Sequence, residues 1–301
     1  MIQTVAPQKD IRDQRKQVSR MSNDLFLEMA DGRSIPQLAF GLYLVKDEEC
    51  EQVIHDAVKA GYRHFDCASY YGNESAVGRA FVNCGVPRSE LFICSKVWND
   101  AQIDGREAVR KSFEQSLKDL QCDYFDLFLV HWPVPGHHVE TYKELETLQI
   151  QGKVRSLGIS NYNEKDYDEL MKSGITVPPV LIQIEVSPVM FRPDLIAFFK
   201  NKNLLVASFK SLNRGGSMND DKILSLAKKY GVSPAQILLR WNLQHGLVVI
   251  SKTSNLHRML ENRDIMNFNI VQEDFEVLNK MTSCDMIEKR ALLEEERKRS
   301  I

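Results

Sequence analysis

The chain repeats one pattern along most of its length: a short apolar run, a loop, then a stretch with apolar residues at helical spacing. The apolar runs are His64–Phe65, Leu91–Cys94, Leu127–Val130, Ser156–Ile159, Leu181–Ile184, Leu204–Ala207, Leu247–Ile250 and Asn267–Phe268. They are too short for helices, and their near-continuous apolar character suits parallel strands buried on both faces. The clearest helical stretch is Glu107–Leu120, with Val109, Phe113, Ser116, Leu117 and Leu120 on one face. Glu51–Ala60, Tyr142–Gln149, Tyr167–Ser173, Asp194–Asn201, Asp221–Tyr230, Pro234–Leu243 and Gln272–Met281 follow the same template. This alternation admits a (β/α)8 barrel or a doubly wound sheet. No GxGxxG follows the first strand and no P-loop occurs, which favours the barrel. Ahead of the rhythm, Asp24–Met29 alternates, Asp31-Gly32 turns, and Ser34–Phe40 resumes, which reads as a hairpin. The expected fold is α/β, a (β/α)8 TIM barrel with an N-terminal β-hairpin.

Length and charge narrow the function classes. A chain of 301 residues can bury one large core or two smaller ones. Its net charge of −2 provides no global field for nucleic acid or an anionic membrane. No apolar run reaches the roughly 20 residues of a membrane span. The six cysteines form no CxxC pair, so neither a zinc ribbon nor a redox dithiol is indicated, and free thiols in a reducing cytoplasm are expected. Residues 1–22 are basic and poor in apolar groups, and read as a flexible extension. The barrel is expected over 23–283. Residues 284–301 are expected to form a charged helical tail, with Glu294/Lys298 and Glu295/Arg299 at i,i+4 spacing. That tail reads as a solvated helix or partner segment, not as a pocket lid. A monomer, or at most a dimer, is expected.

In a barrel the active site lies at the C-terminal ends of the strands. The first apolar run ends at Asp66, with Tyr71 in the Ser-Tyr-Tyr-Gly-Asn loop beyond it. These two are either a local structural hydrogen bond or part of a proton-transfer site. The second run ends at Lys96, with Trp98 following, and the third at His131-Trp132. Lys96 and His131 directly continue apolar runs, where a titratable group is normally excluded unless paired. Later strand ends carry Ser160-Asn161, Gln183 and Glu185, Ser208-Phe209-Lys210 and Ser251-Lys252-Thr253. His137 and His138 follow two prolines and a glycine and are expected in an exposed loop. No cluster of His and carboxylates offers a metal site.

The segments FDCASYYGNE (65–74), SKVWN (95–99), LVHWP (129–133), GISNY (158–162), QIEVSP (183–188) and SKTSNLHRMLEN (251–262) occur in one order and at one spacing. Through them the chain, from about Asn23 to Ser283, resembles the aldo-keto reductases. It looks most like the compact members related to 2,5-diketo-gluconate reductases and protozoal prostaglandin F synthases. The resemblance implies a catalytic tetrad of Asp66, Tyr71, Lys96 and His131. It implies NADPH as cofactor and a small-molecule carbonyl compound as substrate. Tyr71 would be the general acid, and Lys96 would lower its pKa from the free value near 10 toward working pH. Asp66 would hold Lys96, and His131 would orient the carbonyl oxygen.

The same resemblance assigns Ser160, Asn161 and Gln183 to the nicotinamide carboxamide and Phe209 to the ring face. Lys210 and Arg214 lie in a loop that departs from the family pattern; they either meet phosphates or form a solvated basic turn. Lys252, Thr253, Asn255 and Arg258 gather cations, hydroxyl and amide at a helix start, which suits an anion. The family places the 2′-phosphate there, with Glu261 and Asn262 at the adenine. Tyr43, Trp98 and Trp132, with His131, would line the substrate pocket. The alternative is a non-catalytic NADPH-binding regulatory subunit of the same fold. A barrel lyase using Lys96 as a Schiff base is a third reading.

Overall fold

The computed structural model describes residues 26–300; the extension expected over residues 1–22 lies outside them. Strands β1 (Phe26–Glu28) and β2 (Ser34–Pro36) pair antiparallel around a turn in which Gly32 has φ +79°. Eight parallel strands then close a barrel: β3 (Leu38–Gly41), β4 (His64–Asp66), β5 (Phe92–Val97), β6 (Phe125–Val130), β7 (Val154–Ser160), β8 (Leu181–Glu185), β9 (Leu205–Phe209) and β10 (Val248–Ser251). The seam is β10 on β3, with Val249 opposite Leu38. Helices α1 (Cys50–Lys59), α2 (Glu74–Asn83), α3 (Asn99–Ile103), α4 (Arg106–Asp119), α5 (His138–Ile150), α6 (Glu164–Lys172), α7 (Pro193–Asn201), α8 (Asp221–Tyr230), α9 (Pro234–Gln244), α10 (Leu256–Arg263), α11 (Gln272–Asn279) and α12 (Cys284–Arg299) complete the described chain.

Two strand assignments differ from the sequence reading. Leu38–Gly41 is the first barrel strand, not the end of the hairpin's return arm. The hairpin arm stops at Pro36, which has no N–H to donate, and all four residues of LAFG are buried, as a central parallel strand requires. Asn267–Phe268 forms no strand, because β10 already closes on β3 and leaves no free edge. Asp66 therefore ends the second barrel strand, Lys96 lies on the third, and His131 follows the fourth.

The strands present two apolar faces. Outward, Phe65, Phe128, Ile182 and Val206 pack against the helices. Inward, Ala39, Phe92, Leu127, Leu181 and Val248 fill the barrel, and Met29 and Ile35 of the hairpin pack into this inner cluster. The hairpin thus plugs the N-terminal end, and its Asp31 accepts a hydrogen bond from Ser156 Oγ at 2.6 Å. The opposite, C-terminal end is where a barrel carries its chemistry. Among the described residues no helix is long and apolar enough to cross a membrane.

His64 sits in this sealed end, with Nδ1 donating to the Pro36 carbonyl oxygen at 3.0 Å. Burial pushes its pKa down to about 4. The folded state therefore binds this proton more weakly than the unfolded chain, whose imidazole titrates near 6.5. The stability it contributes is complete above about pH 6.5 and is lost as pH falls toward about 4, for a total of roughly 3 kcal/mol. Urea denaturation across that window should show the loss, and His64→Gln should flatten its share of the slope. An unchanged slope in the variant would rule out His64 as the cause.

Candidate active site

Three strand ends bring four titratable side chains together. Lys96, fully buried on β5, donates from Nζ to Asp66 Oδ1 at 2.8 Å and to the Cys67 carbonyl at 2.6 Å. It also reaches the Tyr71 hydroxyl at 3.2 Å. Tyr71 rides on the short 3-10 turn Ser69–Tyr71 just past β4, and its hydroxyl donates to Asp66 Oδ2 at 3.2 Å. The phenol oxygen thus accepts from the ammonium and donates to the carboxylate. Neighbouring Tyr70 has no such contact: its ring stacks on Trp98 at 3.8 Å.

Burial opposes the charge on Lys96, but Asp66 and the Tyr71 oxygen outweigh it, and the net shift is upward. An ammonium held charged by three acceptors is a poor Schiff-base nucleophile. Tyr71 departs from the expectation set by the resemblance. Burial and then the Asp66 charge raise its pKa, and the opposing pull of Lys96 does not cancel them. The reason is geometric, since the phenol touches the carboxylate as well as the ammonium. The resting phenol therefore holds its proton firmly.

His131 follows β6 with its ring edge-on to Trp98 at 4.9 Å and to Tyr71 at 6.1 Å. Burial, then Lys96, pushes its pKa well below 6.5, so the imidazole is neutral at ordinary pH. Its Nδ1 is buried without a hydrogen-bond partner, which leaves Nε2 as the nitrogen for chemistry.

A cavity of about 940 Å³ opens over this cluster at the C-terminal end of the barrel. Asp66 and His131 line it; Tyr43, Tyr70, Trp98 and Trp132 wall one side. Along the floor, Ser160 Oγ donates to the Gln183 carbonyl at 3.0 Å, and Gln183 Nε2 donates to Asp66 Oδ1 at 2.7 Å. Asn161, at φ +61°, donates from Nδ2 to the His131 carbonyl and to Ser160 Oγ, each at 3.0 Å. Phe209 ends β9 beside them.

At the far end of the cavity stand Lys252, Thr253, Arg258, Glu261 and Asn262. Asn255 caps α10, its side chain accepting from the Arg258 backbone N–H at 3.1 Å, and Thr253 Oγ1 accepts from the Asn255 N–H. Lys252 and Arg258 have no carboxylate partner among the described residues. Glu261 accepts from Ser233 Oγ. Lys210 is not free to act as a simple phosphate ligand, because Glu185 holds its ammonium at 2.6 Å. Arg214 is exposed on the 3-10 turn Asn213–Gly215, with its guanidinium 5.8 Å from the Tyr43 ring at the cavity's edge.

Two sequence expectations are corrected here. His138 is buried at the start of α5, with Nδ1 3.2 Å from the Tyr162 hydroxyl and Nε2 3.4 Å from Glu169. The tail is more than a solvated helix: most of α12 is exposed, but Arg290 and Lys298 are buried, and Arg290, Leu293 and Arg297 line the cavity. Its charges are drawn inward by acids distant in sequence. Arg290 meets Glu185 at 2.7 Å, and Lys298 meets Asp166 at 2.8 Å. Only the unmatched Glu185 after a strand hinted at this.

The model of the Aldo/keto reductase family matches residues 38–283. The chain belongs to the aldo/keto reductase family. It is 40% identical over 266 residues to a methylglyoxal reductase, DkgA, of Escherichia coli O157:H7, covering 87% of this chain and 94% of that protein. It is 35% identical over 262 residues to a glyoxal reductase of Bacillus subtilis, with the same coverage of each chain. Among solved structures it resembles the Bombyx mori aldo-keto reductase in complex with NADP, with TM-score 0.79, 31% identity, and coverage of 85% of this chain and 92% of that one. As an aldo/keto reductase the protein is an oxidoreductase enzyme that acts on carbonyl groups with a nicotinamide cofactor.

Proposed function

We propose that the protein reduces small aldehydes and ketones to alcohols with NADPH, and that Tyr71 is the general acid. The observation that carries this reading is the single phenol oxygen shared by Lys96 and Asp66 beneath an aromatic-walled cavity. The residues of that cavity fit the cofactor. Ser160, Asn161 and Gln183 offer hydroxyl and amide groups beside Phe209, and Lys252 and Arg258 are cations without acid partners among the described residues. When bound, the reduced nicotinamide supplies hydride to the carbonyl carbon. Tyr71 supplies the proton to the carbonyl oxygen, and Lys96 stabilises the phenolate left behind until solvent returns a proton. Asp66 keeps Lys96 charged and in place. Neutral His131, protonated on Nε2, would donate to the carbonyl oxygen and orient it.

The walls of Tyr43, Trp98 and Trp132 suit a desolvated, weakly polar carbonyl compound. The two bacterial relatives are named for methylglyoxal and glyoxal, so small 2-oxoaldehydes are the first substrates to try. NADPH oxidation followed by absorbance across a panel of aldehydes and ketones tests the reading. Tight NADPH binding with no turnover on any carbonyl would instead make this a binding protein.

Cofactor choice has its own test. In Lys252→Met with Arg258→Ala, NADPH affinity should fall about tenfold or more, because two charge-assisted contacts to the 2′-phosphate are removed, while NADH affinity holds. Fluorescence titration of both cofactors measures this. A double variant that still prefers NADPH as strongly as the parent would defeat the assignment.

A further inference from the structure

The proposed reaction leaves α12 without a task, yet this helix reaches the floor of the site. Arg290 is buried and serves three acceptors. Its Nη1 donates to Glu185 Oε2 at 2.7 Å, its Nη2 to Asn161 Oδ1 at 3.0 Å, and its Nε to Glu294 Oε1 at 2.8 Å. Its guanidinium carbon stands 5.8 Å from the Trp132 ring and 5.6 Å from the Phe209 ring. It therefore sits between the substrate wall and the face that would hold the nicotinamide.

The hydrogen-bond inventory shows what Arg290 adds. The two N–H groups of the Asn161 amide go to the His131 carbonyl and Ser160 Oγ, and its oxygen accepts from Arg290. A flipped amide would set oxygen against the His131 carbonyl and N–H against the guanidinium, so Arg290 fixes which way Asn161 faces. The Ser160 proton is spent on the Gln183 carbonyl, and Gln183 spends one N–H on Asp66. Donors still free near this corner include one N–H of Gln183 and the two guanidinium N–H groups of Arg290 not counted above. A carboxamide oxygen needs such a donor.

We infer that Arg290 is a positioning residue for the cofactor's carboxamide end, so that docking of α12 and binding of the nicotinamide support one another. The inference rests on reading Asn161 and Gln183 as the carboxamide partners. It goes beyond that reading by giving the C-terminal helix a part in cofactor binding.

The test is Arg290→Gln. Neither carboxylate is orphaned by the change, since Glu185 keeps Lys210 at 2.6 Å and Glu294 keeps Arg192 at 3.1 Å. Two ligands separate the ends of the site. NADPH spans it, whereas adenosine 2′,5′-bisphosphate reaches only the Lys252–Arg258 end. Fluorescence titration should show NADPH weakened about tenfold or more, as expected for a lost charge-assisted contact, with bisphosphate affinity unchanged. Arg290→Lys should not restore NADPH affinity, because one ammonium cannot serve three acceptors set in a fork. By reciprocity, NADPH should slow tryptic cleavage within α12 in the parent more than in Arg290→Gln. Equal NADPH affinity in parent and variant, equal weakening of both ligands, or equal protection by NADPH would overturn the inference while leaving the proposed reaction standing. A parent protein that binds the bisphosphate but not NADPH would overturn both.

Discussion

Turnover of every carbonyl substrate should fall by roughly 10²–10⁴ in Tyr71→Phe, with NADPH affinity at the parent level. The substitution removes one oxygen and little else. The phenyl ring can keep its place 5.1 Å from Tyr43, and the Lys96–Asp66 contact at 2.8 Å does not depend on the hydroxyl. What is lost is the proton that the carbonyl oxygen must receive as hydride arrives. Tyr70 cannot replace it, because its ring is stacked on Trp98 and has no contact with Lys96. The pH profile adds a second check. A raised phenol pKa keeps Tyr71 protonated as pH rises, and a depressed imidazole pKa keeps His131 neutral as pH falls. Neither ionisation should cut the rate of the chemical step between about pH 6 and pH 9. Full turnover in Tyr71→Phe would remove Tyr71 as the acid. A parent rate that falls steeply within that window would contradict the ionisation states given to the pair.

The contrast between Tyr70 and Tyr71 shows what the sequence could and could not carry. The strand rhythm was legible because parallel strands buried on both faces leave unbroken apolar runs, and because a barrel puts its chemistry where those runs end. Lys96 and His131 stood out by interrupting that apolar character; His131 lines the cavity, and Lys96 lies buried beneath it, held by Asp66 and Tyr71. Leu38–Gly41 reads as part of the hairpin because only Gln37 separates it from β2, and no turn marks the join. Helix α2 gives no clear helical signal in the sequence, since Gly78 in its middle reads as a breaker. That glycine is required by packing: a Cβ there would sit 2.0 Å from the Asp119 carbonyl oxygen at the end of α4. His138, Arg290 and Lys298 take partners that the sequence does not announce, for a shared reason. Their partners Tyr162, Glu185 and Asp166 are distant in the chain, and no local pattern announces a pairing across the fold.

Lys96→Met should abolish turnover and also destabilise the protein by about 3–5 kcal/mol, because it strands a buried carboxylate without its cation. Asp66 would keep the Gln183 and Tyr71 donors, at 2.7 Å and 3.2 Å, but the Cys67 carbonyl would lose the one side-chain donor it has among the described residues. For a chain of this size a loss of that order lowers the melting temperature by roughly 5–15 °C. The two consequences can be separated. Adding Asp66→Asn to Lys96→Met removes the unpaired charge while keeping an amide of the same shape in the same contacts. The double variant should recover much of the lost melting temperature, since the destabilisation arises from the stranded charge and not from missing packing. It should recover no turnover, since the phenol still lacks the ammonium that stabilises its anion. A double variant as unstable as Lys96→Met would show that Lys96 supports the fold through the Cys67 carbonyl and its own packing. Activity returning with stability would show that the lysine serves the reaction only by holding the site together.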